Sequence, residues 1–108
     1  MNRMYTQKVE LLLRILPVIS QENCFAIHGG TAINLFVKDL PRYSVDIDLT
    51  YIPLEDRTTS IDNINKRLIA ISDKIRKVQK GIRVTHRSDI CKLLCEYQGN
   101  HIKIEVNP

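Results

Sequence analysis

Arg42-Tyr43-Ser44-Val45-Asp46-Ile47-Asp48-Leu49 is the stretch that decides the fold of this chain. Val45, Ile47 and Leu49 alternate with Ser44, Asp46 and Asp48, the two-residue period of a strand with one buried face. The strand is predicted over 45–52, and Pro53 stops it. Asp46 and Asp48 then aim two carboxylates at one point, while Ile47 and Leu49 face a core. Just upstream, His28-Gly29-Gly30-Thr31-Ala32 reads as a turn that opens a short helix over 31–37. A carboxylate pair beside a helix N-terminus suits Mg²⁺ and a polyphosphate, because oxygen ligands hold the hard cation and backbone N–H groups hold phosphate.

Working outward, residues 3–20 carry Leu11, Leu12, Ile15, Leu16 and Ile19 at helical spacing. Pro17 is expected to kink or end that helix. A short buried strand follows over 24–27, and Leu40-Pro41-Arg42 reads as a loop. Thr59 or Ser60 is expected to cap a long helix reaching about Gln79. Its stripe of Ile61, Ile64, Leu68, Ile71, Ile75 and Val78 is too short for a sustained coiled coil and reads as a core-facing face. The other side carries Lys66, Arg67, Lys74, Arg76, Lys77 and Lys80, a solvated face or, as the second reading, an RNA contact. Gly81 ends the helix. Strands are predicted over 82–86, 90–97 and 101–106, the last two joined by the tight turn Gln98-Gly99-Asn100. The order predicts an α/β (α+β) domain, a mixed sheet with helices on one face.

With 108 residues there is room for one small domain. The 44% hydrophobic and 26% charged content fits a soluble globular chain, and the net charge of +4 mildly favours a polyanionic partner or is ordinary scatter. Cys24, Cys91 and Cys95 match no metal-ligand spacing and no disulfide framework, which points to reduced thiols and a cytoplasmic location. The apolar run 11–19 contains Arg14 and Pro17 and has no cleavage site after it, so neither a signal peptide nor a membrane span is expected.

The last strand repeats the logic of the second: Ile102, Ile104 and Val106 alternate with His101, Lys103 and Glu105. If the two strands are neighbours, Glu105 becomes a third carboxylate at the Asp46–Asp48 site. Three carboxylates can hold two Mg²⁺ ions about 3.5–4 Å apart, as in-line nucleotidyl displacement requires. Gly29, Gly30 and Thr31 would let backbone approach phosphate, with Ser44 as a further contact. Arg42 and Lys103 are charge clamps for phosphate or partners of the carboxylates. His28 reads as structural, and His86 and His101 as surface residues.

These residues resemble the nucleotidyltransferase superfamily of the DNA polymerase β type, whose pattern is a Gly-Gly helix start, an Asp-x-Asp strand and a later acidic strand. The chain is more closely similar to the AbiEii/AbiGii abortive-infection toxins in three blocks: His28 to Ala32, Arg42 to Leu49, and Lys103 to Glu105. The resemblance implies the nucleotidyltransferase fold, Mg²⁺ with an NTP as substrate, and Asp46, Asp48 and Glu105 as metal-binding catalytic residues. It implies a toxin of a toxin–antitoxin or phage-defence pair that moves NMP onto RNA, the tRNA 3′ end in some relatives, with a cognate antitoxin as partner. It also implies a helical C-terminal region beyond the third acidic strand. Because the chain stops at Pro108, residues 1–108 read as the N-terminal catalytic module.

Two other readings stand beside this one. The same site could AMPylate a partner protein, or the chain could be an inactive module that binds nucleotide or antitoxin. An Asp-x-Asp glycosyltransferase would need a far longer chain. Edge strands could pair copies into a homodimer.

Overall fold

A computed structural model describes residues 3–27 and 44–108. The expected helix over 31–37 and the loop 40–42 lie outside the described residues. Two helices and five strands are described, in the order α1 (Arg3–Ser20), β1 (Phe25–Ile27), β2 (Ser44–Tyr51), α2 (Arg57–Val78), β3 (Arg83–Arg87), β4 (Lys92–Tyr97) and β5 (Asn100–Asn107). The strands form one mixed sheet ordered β1-β2-β5-β4-β3. β2 and β5 run parallel at its centre, and the other pairings are antiparallel. This is the α+β architecture expected, with an open sheet.

The two-residue period puts Val45, Ile47 and Leu49 of β2 on the same face as Ile102, Ile104 and Val106 of β5, all buried. That face packs against the apolar sides of the helices: Leu11, Leu12, Ile15, Val18 and Ile19 of α1, and Ile64, Leu68, Ile71 and Ile75 of α2. Each such side chain removed from water stabilises the fold by roughly 1.5–3 kcal/mol before entropy is subtracted. Val78, expected on the buried stripe of α2, is 46% exposed, while Ser60 and Ser72 are buried on α2. Val78 is the last residue of α2, one turn beyond Ile75, the last of the buried stripe.

Pro17 does not end α1, which continues to Ser20. A proline leaves the carbonyl four residues earlier without its helical partner. Here that residue is Leu13, whose side of the helix is exposed, so water can satisfy the carbonyl. The Ser20 hydroxyl also donates to the Pro17 carbonyl at 3.0 Å and closes the last turn.

α2 is capped by Asp56 rather than by Thr59 or Ser60. The Asp56 carboxylate accepts from the Thr59 backbone N–H at 2.7 Å, so Thr59 supplies a donor and not the capping oxygen. That hydrogen bond holds the Asp56 carboxyl below its ordinary pKa. β4 begins at Lys92, not at Ile90, because residues 88–91 form the β3–β4 connection and Cys91 takes φ 51°. The β4–β5 turn is the two-residue Gln98-Gly99 loop, with φ of 49° and 80°. Both central residues at positive φ mark a type I′ turn, whose twist suits a hairpin. His86 is half-buried rather than on the surface: its Nε2 lies 2.8 Å from Asn65 Oδ1 on α2, which ties β3 to that helix.

Candidate active site

With one sheet face committed to the core, every alternate residue is directed to the outer face. Parallel β2–β5 pairing sets Asp46 against Lys103 and Asp48 against Glu105. Antiparallel β5–β4 pairing sets Glu105 against Lys92, and β4–β3 pairing sets Lys92 against Arg87. Paired residues share a face, so Asp48, Glu105, Lys92 and Arg87 form one row across four strands. The neighbouring row is Asp46, Lys103, Leu94 and Thr85, and the third is His101, Glu96 and Arg83.

Asp46 and Lys103 are exposed, and Asp48 and Glu105 are half-buried. Among the described residues, neither the Asp46 nor the Asp48 carboxylate is engaged in a hydrogen bond or ion pair. Glu105 is engaged: its Oε2 lies 3.2 Å from Lys92 Nζ. The glutamate side chain is 45% exposed, and a pair in such a setting contributes less than about 1 kcal/mol. Two rows further on, Glu96 lies 3.5 Å from His101 and 3.7 Å from Arg83. Arg87 is bound by Asp89 at 3.1 Å, which raises the arginine pKa and lowers that of the aspartate.

Asp46, Asp48 and Glu105 offer hard oxygen donors, the ligand type Mg²⁺ takes. Among the described residues no three histidine, cysteine, aspartate or glutamate side chains are gathered tightly enough to hold a metal ion. Glu105, engaged by Lys92, would have to leave it to join the aspartates. Gly29, Gly30, Thr31 and Arg42 lie outside the described residues, as does His28.

Lys92 is a site residue that sequence reasoning missed. The signal was present: a two-residue turn at Gln98-Gly99 pairs Tyr97 with Asn100, and counting outward from there reaches Lys92 opposite Glu105. Reading the turn as the three residues Gln98-Gly99-Asn100 hid it, because that count shifts the pairing by one and sets Glu105 opposite Leu93. A shallow cavity of about 210 Å³ opens on this same face, lined by Arg83, Thr85, Leu94 and His101, beside the Asp46–Lys103 row. Two further cavities lie elsewhere, one of about 160 Å³ between α1 and the β4–β5 hairpin and one of about 480 Å³ lined by Cys24, Tyr51, Asn63, Lys66 and Arg67.

An open mixed sheet with helices on one face and an aspartate pair on the other is the arrangement of a nucleotidyltransferase-like fold. The protein-family model described as nucleotidyl transferase AbiEii toxin, type IV toxin–antitoxin system, matches residues 10–107. The chain belongs to that family of toxin–antitoxin nucleotidyltransferases. No curated protein and no solved structure matches the chain significantly. Among the described residues no helix is long and apolar enough to cross a membrane.

Proposed function

We propose that this chain is the catalytic module of a Mg²⁺-dependent nucleotidyltransferase toxin that moves NMP from an NTP to an RNA acceptor, the 3′ end of tRNA. The observation that carries the reading is the β2–β5 register, which sets the third carboxylate, Glu105, directly beside Asp48 on the solvent face. Family membership supplies the nucleotidyltransferase class and an antitoxin as partner.

In this reading Asp46, Asp48 and Glu105 hold two Mg²⁺ ions. Ions held there would supply Lewis-acid activation of the attacking hydroxyl and positive charge opposite the triphosphate and departing pyrophosphate. Lys103, next to Asp46 and exposed, meets a phosphate oxygen and orients the triphosphate along the sheet. Gly29, Gly30 and Thr31 cradle phosphate through backbone N–H groups, with Ser44 and Arg42 as further contacts. The acceptor RNA runs over the β3–β4 side of the same face, where Arg83, Arg87 and Lys92 supply positive charge and the +4 net charge favours a polyanion.

The test is transfer of label from each α-labelled NTP to total tRNA, with Mg²⁺ and with EDTA. Mg²⁺-dependent labelling that Asp46→Asn and Asp48→Asn abolish supports the proposal, and labelling that survives in those variants overturns it. Label on protein instead of RNA would establish AMPylation in its place.

A further inference from the structure

We infer that Lys92 is a built-in counter-ion of the carboxylate site: its ammonium holds Glu105 away from Asp48 until a divalent cation displaces it. This inference rests on the reading of Asp46, Asp48 and Glu105 as metal ligands, and adds a positioning residue that the reading does not contain.

Three observations carry it. First, Lys92 Nζ lies 3.2 Å from Glu105 Oε2, and the register makes Lys92 the direct cross-strand partner of Glu105 on β4, just as Asp48 is on β2. Glu105 therefore has one neighbour of each sign, and it is paired with the positive one. Second, the lysine is the better-buried partner, at 24% exposure against 45% for the glutamate. The carboxylate, the more exposed partner, is therefore the half with more room to leave the pair. Third, Arg87, the other cation in the row, is already held by Asp89, which leaves Lys92 as the cation opposing Glu105 within that row.

A cation bound between Asp48 and Glu105 and an ammonium on Glu105 compete for the same carboxylate oxygens. Binding the cation must break the Lys92–Glu105 pair. Once released, the Lys92 ammonium stands on the outer face free to meet an anionic substrate. The site would then couple two events: a divalent ion collects Glu105, and a positive charge is handed to the incoming polyanion. Without the ion, neither the assembled carboxylates nor the free ammonium is available.

The test is calorimetric titration of the chain with Mg²⁺ and with Mn²⁺ alone, no nucleotide present, against Lys92→Gln, Lys92→Arg, Arg87→Gln and Asp48→Asn. The expected results are loss of binding in Asp48→Asn and ~3–5-fold tighter binding in Lys92→Gln, the range a half-exposed ion pair can account for. Lys92→Arg should bind as the parent does, and Arg87→Gln should stay within about twofold of it. Arg87→Gln separates competition for Glu105 from a general change in charge, because it removes the same charge from the same row. Unchanged or weaker binding in Lys92→Gln, or an equal gain in Arg87→Gln, would overturn the inference while leaving the metal reading intact. An absence of Asp48-dependent binding in the parent chain would overturn both.

Discussion

Asp48 and Glu105 are register partners in the parallel β2–β5 pair, although 56 intervening residues separate them in the sequence. Neither strand alone makes a site: β2 brings an aspartate pair, and β5 brings a lysine and a glutamate. The fully buried Ile47 and Ile104, which are also register partners, lock this alignment from the other face. A slip of one residue would send Glu105 into the core and Ile104 into water, so the hydrophobic face enforces the polar one.

The core therefore controls the site. Ile104→Ala removes a fully buried side chain from a central strand and should destabilise the chain by about 2–5 kcal/mol. Urea unfolding followed by circular dichroism would check it. Asp46→Asn, on the exposed face, should leave the urea midpoint almost unchanged.

The Asp56 cap should make stability pH-dependent. Its folded carboxyl titrates below the ordinary value because the Thr59 N–H favours the charged form. The stabilisation is therefore fully present above the unfolded pKa of ~3.9 and is lost as the pH falls through the folded pKa. Asp56→Ala should lower Tm at pH 7, and the difference from the parent should shrink as the pH falls below about 4 and through the folded pKa. Thermal melts of both proteins across pH 3 to 7 would measure this. A difference that persists in acid would show that Asp56 acts otherwise.

Gly99 adopts φ +80°, and a Cβ built there meets nothing within 4 Å. Gly99→Ala should accordingly cost about 1–2 kcal/mol, from backbone conformation alone and not from a clash. Equilibrium unfolding would give the number. The register of the hairpin, and with it the Lys92–Glu105 alignment, depends on this turn.

Burial pushes the Cys95 thiol up to about 12, and the Cys91 thiol is also raised. Thiolate is the reactive form, so both should resist alkylation at pH 8 in the folded chain and react on unfolding. Cys24 is only half-buried and should be labelled first, though slowly, because burial and Glu22 raise its pKa as well. Mass spectrometry of the iodoacetamide-treated chain, with and without urea, would resolve the three sites.

Much of this architecture was legible in the residues. Alternation within 45–52 and 101–106 revealed both central strands, observed as Ser44–Tyr51 and Asn100–Asn107, and which face each buries. The apolar stripe of α2 and a tight turn within 98–100 were equally clear, because each expresses a local rule of period or backbone conformation, whereas the place of Asn100 in β5 was not. What escaped depended on tertiary context. Pro17 is tolerated because of which side of α1 faces water, and His86 is drawn inward by Asn65 from another element. Asp56 was passed over as the cap because Thr59 and Ser60 stood nearby with suitable side chains. Among candidate site residues, Asp46, Asp48, Lys103 and Glu105 followed from alternation. That they share one face followed only from strand order, which no local pattern encodes.

The central claim is that the Asp46–Asp48–Glu105 face holds a nucleotide through Mg²⁺. The most direct measurement is calorimetric binding of each NTP to this chain and to Asp48→Asn, with Mg²⁺ and with EDTA. The account predicts binding that requires Mg²⁺ and disappears in Asp48→Asn, while circular dichroism shows the variant folded. NTP binding of equal strength in EDTA, or undiminished in Asp48→Asn, would contradict it.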